Sequence, residues 1–292
     1  MKLVFEKVRG SGVSVGSVMI EREDMPWDNK QQCDEDRSFK TAVKVALAYH
    51  QLTSLKPNMI SRDELMNYLG YGSQSTKTAT YKKLPDTLRE IGCVCNGFDE
   101  ARPKMRLGYQ LDFDILKLDK PFSETEKKKF FKQYSPYISL SFYQILELIK
   151  AGSASAGGKF NEFLRLYLLV RHDMKSCYSN NPRLFLGMYA MLSQSRIHNT
   201  AGLSEKTIVS MTNTLEQAGL IFKLSGRKAS EDVYSINCYA TTNDPRLADA
   251  VRKVQIEKGI KKKQLVAARK GHGSSILDRS IRDAVGVTDF QV

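Results

Sequence analysis

The sequence predicts a mainly α protein with small β-hairpins (α+β), and three observations carry that prediction. A helical pattern of apolar residues occurs twice, each copy is followed by a switch from helical to strand-like period, and two further helices are expected ahead of each copy. The 292 residues are enough for about two domains at roughly 100–200 residues per domain.

Taken in chain order, the first 36 residues read as a short strand pair and a polar arm. Residues 39–52 form an apolar-periodic helix, and 60–71 a second one opened by a capping box of Ser61 and Glu64. The first copy of the repeated pattern is "STKTATYKKLPDTLREIGCVCNGF", in which Tyr81, Leu84, Leu88 and Ile91 precede Gly92. The second, 127 residues on, is "GLSEKTIVSMTNTLEQAGLIFKL", in which Ile208, Met211, Leu215 and Ala218 precede Gly219. Both quartets lie along one helical face, and both glycines stand where a helix end wants a residue tolerant of positive φ. After the glycines, 93–98 and 105–113, then 220–224 and 233–239, read as hairpin strands around polar tips, with Cys93 and Cys95 in a strand. Helices at 160–174 and 183–192 are expected ahead of the second copy. Three helices and a hairpin make a winged helix, so the expected architecture is two winged-helix (helix-turn-helix) domains in tandem. Their limits are 37–118 and 137–242, with a polar linker at 119–136 and a basic C-terminal helix and tail at 243–292. In that helix Leu247, Val251 and Val254 share a face, and 252–270 holds eight Lys/Arg against one Glu.

A composition of 41% hydrophobic and 26% charged residues is that of a globular chain, and no apolar run approaches the roughly 18 residues of a membrane span. Glu6, Lys7 and Arg9 interrupt the apolar core that a signal peptide needs, and five scattered cysteines make neither a disulfide framework nor a paired metal site, so a cytoplasmic, reducing location is expected. The net charge of +13 points to a polyanionic partner.

In a helix-turn-helix the second helix enters the major groove while its inner face holds the core. Residues 202–217 meet both needs: Leu203 closes the turn, Ser204 is the N-cap, and the outer face offers Glu205, Lys206, Thr207, Ser210, Asn213 and Thr214. "GLSEKTIVSMTNTLEQAGLI" resembles the turn and recognition helix of bacterial winged-helix proteins. Two such units, with "YISLSFYQIL" and "FNEFLRLYLLVRHDM" ahead of the second, are similar to plasmid and phage replication initiators. The resemblance implies groove-facing roles for Ser204, Lys206, Thr207 and Ser210, and for Lys77, Thr78, Lys82 and Lys83 in the first copy. Pro85 departs from the pattern, and the first reading helix is either kinked or begins there. Arg102, Lys104, Arg227 and Lys228 at the wing tips suit phosphates or the minor groove. The lysine runs at 127–129 and 261–263 add salt-sensitive affinity.

Catalytic readings fail on spacing. "GSASAGGKF" puts its Gly-Lys pair one residue late for a phosphate loop, with Phe160 in place of the Ser/Thr ligand. His50, His172, His198 and His272 are too scattered for a metal-dependent nickase, a tyrosine recombinase lacks its partner residues, and Asp34, Glu35 and Asp36 read as a solvated turn. The expectation is therefore a non-enzymatic, sequence-specific duplex-DNA-binding protein without cofactor or metal. Replication initiation is the leading role, with transcriptional regulation from operator DNA as the alternative. Duplex DNA is the expected partner, with host helicase or its loader, and a second copy of the chain, as further candidates.

Overall fold

The structure, a computed structural model, describes residues 2–7, 14–21, 25–27, 32–53, 60–72, 79–91, 93–96, 108–111, 137–154, 159–179, 183–224 and 237–269. It is mainly helical with small antiparallel sheets, as the composition of apolar periods predicts. The chain divides into two compact units, one of Met1–Met174 with Leu192–Phe222 and one of Lys175–Met191 with Lys223–Val292.

In the first unit, β1 (Lys2–Lys7) pairs with β2 (Ser14–Glu21), which pairs in turn with β6 (Tyr137–Ser141). Val18 stands opposite Leu140 and Ile20 opposite Ile138, and all four are buried, giving this sheet one apolar face. The helix α1 (Glu35–Thr53) opens on the carboxylate of Asp34, which accepts from the amides of Asp36 at 3.0 Å and Arg37 at 3.2 Å. The run of small and apolar residues Ala42, Val43, Val45, Ala46, Leu47 and Ala48 is wholly buried. It packs on α4 (Phe142–Ala154) and α5 (Phe160–His172). The helix α5 is buried without interruption from Phe163 to Val170, which identifies it as the central strut of this unit. Because α1 packs on α4 and α5, the first unit joins a helix of the expected 37–118 domain to helices that lie within the expected 137–242 domain.

The first copy follows its expected course with local changes. Ile60 and Ser61 form the short strand β3, so α2 (Arg62–Tyr68) begins two residues later than the expected 60–71 helix and ends three residues earlier. The expected capping box is present: Ser61 Oγ accepts from the Glu64 amide at 3.2 Å, while the Glu64 carboxylate accepts from the Ser61 amide at 2.8 Å. The helix α3 (Ala79–Glu90) holds Pro85 in its interior rather than starting there. Proline leaves the carbonyl four residues back without its helical donor. That carbonyl belongs to Tyr81 and accepts instead from the guanidinium of Arg62, whose carbon also lies 3.6 Å from the Tyr81 ring centroid. After α3, β4 (Cys93–Asn96) and β5 (Gly108–Leu111) pair antiparallel, and β3 adds to β5.

The second unit corrects the sequence reading at 183–192. That stretch is the strand β8 (Phe185–Met191), paired with β7 (Lys175–Tyr178) on one side and β10 (Cys238–Ala240) on the other. Leu and Met favour helices in isolation, but a seven-residue apolar run is ambiguous by period, and pairing on both edges decides it. The full order is β7-β8-β10-β9, with β9 at Phe222–Lys223. The core of this sheet is Leu186, Cys238 and Ala240 against Leu247 and Val251 of α8 (Pro245–Arg269). Burial pushes the phenol of Tyr239, next to this core, up to about 12.

Candidate nucleic-acid interface

Two helices of the first unit follow one another across three residues: α6 (Gln194–Ala201), then Gly202, Leu203 and Ser204, then α7 (Glu205–Gln217). Each link of this turn has a local cause. Ser193 caps α6 by accepting from the Arg196 amide at 3.1 Å. Gly202 ends it in the left-handed region, φ +66, where a Cβ would strain the backbone, and its amide donates to the His198 carbonyl at 2.9 Å. The His198 ring nitrogen Nδ1 donates to the Leu203 carbonyl at 2.7 Å, drawing the turn back onto α6. Ser204 then caps α7, accepting from the Thr207 amide at 3.2 Å.

The inner side of the pair is apolar. Ile197 and Ala201 of α6, Leu203 of the turn, and Ile208, Met211 and Leu215 of α7 are all buried. The start of α6 is tied to the end of α5 through Asp173, whose carboxylate meets Arg196 at 2.6 Å and His172 at 3.0 Å. The end of α6 is tied to the N-terminal segment by the Cys33 amide, which donates to the Thr200 carbonyl at 2.8 Å. Beside it, Arg165 sits 5% exposed with its Nη1 3.4 Å from Cys33 Sγ and 3.8 Å from a Glu35 carboxylate oxygen. Burial pushes the Cys33 thiol up despite that guanidinium, so this is a packing arrangement rather than an activated thiol.

The outer side of α7 carries Glu205, Lys206, Ser210 and Asn213 exposed, as the sequence expects. Ser204 is exposed too, but its hydroxyl is engaged by the helix start and lies 2.7 Å from the Thr207 hydroxyl. Thr207 and Thr214 stand at the edge of the exposed arc and are half-buried. Two residues of the stripe escaped the sequence reading. Val209 is 45% exposed, and Gln217 is exposed one turn beyond Asn213. Gln217 was legible from its spacing of four from Asn213. Val209 was not, because an apolar residue on an amphipathic helix is ordinarily assigned inward. The resulting stripe is Lys206, Val209, Ser210, Asn213 and Gln217, at the i, i+3, i+4 spacing of a single helical face.

In the first copy, Lys82 and Lys83 are exposed on α3. Lys83 forms an ion pair with Asp36 of α1, Lys40 of α1 meets Glu90 at 2.7 Å, and Asp86 meets Arg89 at 3.1 Å. Positive charge on this face is thus matched largely within the protein. Lys77, Thr78, Arg102, Lys104, Arg227 and Lys228 lie outside the described residues, as does the expected linker at 119–136.

The structure gives "GSASAGGKF" a packing explanation at its first glycine. Gly152 lies buried inside α4, where a Cβ would collide with the backbone nitrogen of Phe160. Asp34 and Asp36 are occupied at the start of α1, by amides and by Lys83. Among the described residues no group of three His, Cys, Asp or Glu is placed to hold a metal ion, and no helix is long and apolar enough to cross a membrane. Comparison with protein-family models, with curated proteins and with solved structures found no match to this chain.

Proposed function

We propose that this chain is a sequence-specific duplex-DNA-binding protein and that α7 is its principal reading helix. The observation that carries this reading is the exposed stripe of Lys206, Val209, Ser210, Asn213 and Gln217 on a capped helix whose opposite face is locked into a core. These five side chains supply the chemistries that distinguish base pairs in the major groove. Lysine donates to guanine O6 and N7, the amides match adenine N6 and N7, the hydroxyl serves either role, and the valine methyls suit the thymine methyl. The net charge of +13 adds sequence-independent attraction to phosphates.

On this reading 37–118 and 137–242 are tandem winged helices, and the second copy is the better reader because Lys83 of the first is engaged by Asp36 of α1. The chain acts by binding rather than by catalysis. The resemblance of 202–221 to bacterial winged-helix proteins, together with the duplicated unit, favours replication initiation at repeated origin sites, with a host helicase or loader as protein partner.

The test begins with selection of bound sites from random duplex DNA by the full chain. Lys206→Ala and Ser210→Ala should each weaken binding to the selected site by about 1–3 kcal/mol while changing affinity for random DNA much less. Equal losses on both would reduce α7 to a backbone clamp, and failure to enrich any site would remove the reading altogether.

A further inference from the structure

The helix α7 carries a carboxylate at the end that would meet a polyanion first. Glu205 is the first residue of the helix, directly after the Ser204 cap, and its side chain is exposed. Among the described residues none meets its carboxylate in a hydrogen bond or ion pair. The acids of the first copy differ, since Asp86 meets Arg89 at 3.1 Å and Glu90 meets Lys40 at 2.7 Å. Lys206 follows Glu205 directly, and the exposed Val209 lies one turn beyond Glu205 on the same side of the helix. In a helix-turn-helix it is the N-terminal part of the second helix that contacts base edges.

A carboxylate at that place has one consequence for affinity and another for sequence. Phosphates repel it, so it weakens binding to every duplex alike. The repulsion is offset only where a base edge donates to it, because an ionised carboxylate accepts hydrogen bonds and cannot donate them. Cytosine N4 and adenine N6 are the amino groups that the major groove offers. Adenine places its N7 acceptor beside the amino group, and that acceptor repels a second one facing it. Cytosine shows the carboxylate a donor alone, so the discrimination runs toward cytosine. Lys206 supplies the donor for a guanine O6 or N7 nearby.

We infer that Glu205 is a specificity-determining residue of α7 and that it accepts a hydrogen bond from a cytosine N4 in the bound site. The inference rests on the duplex-reading proposal and narrows its substrate to sites with a C·G pair beneath the start of α7. A helical turn rises about 5.4 Å and successive base pairs about 3.4 Å, so the cytosine falls within about two base pairs of any thymine that Val209 meets. A carboxylate in the first turn also complements the helix dipole, and the experiment separates that role from recognition.

The experiment uses the full chain on a duplex site selected from random DNA, with each base pair of that site changed in turn, and on a duplex of unrelated sequence. The wild type should lose about tenfold in affinity when one particular C·G pair becomes T·A. Glu205→Ala should reduce that preference to within about twofold, keep the preferences elsewhere in the site, and bind the unrelated duplex more tightly. Glu205→Gln should move the preference at that position from cytosine to adenine, because an amide matches adenine N6 and N7. A carboxylate that serves only the helix start produces no such change of base. The inference alone is overturned if Glu205→Ala keeps the cytosine preference, whether or not its melting temperature falls, or if it weakens the selected and unrelated duplexes equally. It is also overturned if the wild type selects a site in which no cytosine matters. Failure of the wild type to select any site removes the duplex-reading proposal as well, which distinguishes the two failures.

Discussion

The two copies of the repeated helix, α3 and α7, share a buried face and differ in everything else. Leu84 and Leu88 of α3 are as deeply buried as Met211 and Leu215 of α7. Outward, α3 presents Lys82, Lys83, Asp86, Arg89 and Glu90, of which four are joined in ion pairs within the protein. The helix α7 presents one cation, Lys206, and one exposed carboxylate, Glu205, among uncharged hydrogen-bonding groups and a valine. Their N-terminal parts differ too: α7 is capped by Ser204, whereas α3 depends on Arg62 to satisfy the carbonyl that Pro85 leaves open. A repeated apolar pattern therefore fixes how a helix sits, while its polar side and its neighbours fix what it can touch.

The largest test of that comparison concerns the shared face. Leu84→Ala and Leu215→Ala each remove a fully buried side chain and should cost about 2–5 kcal/mol in urea unfolding. A loss below about 1 kcal/mol for Leu84→Ala alone would show that the first copy is packed more loosely than the second.

The outer faces come next. If Val209 meets a thymine methyl, replacing single thymidines by deoxyuridine in a selected site should weaken wild-type binding several-fold at one position, and Val209→Ala should abolish that dependence. Lys83→Ala, by contrast, removes a charge already met by Asp36 and should lower the salt slope of DNA binding by less than about one unit. A larger drop for Lys83 would restore the first copy as an equal partner in binding.

The smallest effect is electrostatic. The hydrogen bond and charge of Lys83 hold the exposed Asp36 carboxyl below its ordinary value of 3.8. A depressed acid contributes stability above its unfolded value and loses it as pH falls through the folded one. The pair should thus lose its contribution, about 0–1 kcal/mol for exposed charges, as the pH drops through and below the region of 3.8. Asp36→Asn should flatten the acid limb of stability by that amount, and an unchanged limb would show that the pair adds nothing.

Much of the architecture was legible because it depends on local chemistry. The capping box at Ser61 and Glu64, the cap at Ser204, the positive φ of Gly219 and the strand containing Cys93 and Cys95 all follow from side chains within a few residues of one another. The misreading at 183–192 had a different origin. Its Leu and Met residues carry helix propensity, and only Gly187, at φ +141 between two partner strands, hinted otherwise. Val209 was hidden for the same reason, since apolar character is a local property and exposure is not.

By itself, then, the sequence determined the helical class, the duplicated apolar faces, the caps and turns, and the basic charge, because each arises from spacing and side-chain chemistry along a short stretch. Tertiary structure decided which cations were already engaged, that β8 is a strand, that Arg62 makes Pro85 tolerable in α3, and that Tyr178, Phe185 and Val209 face water. Those outcomes depend on groups far apart in the chain, and burial and pairing between such groups are set only when the elements pack.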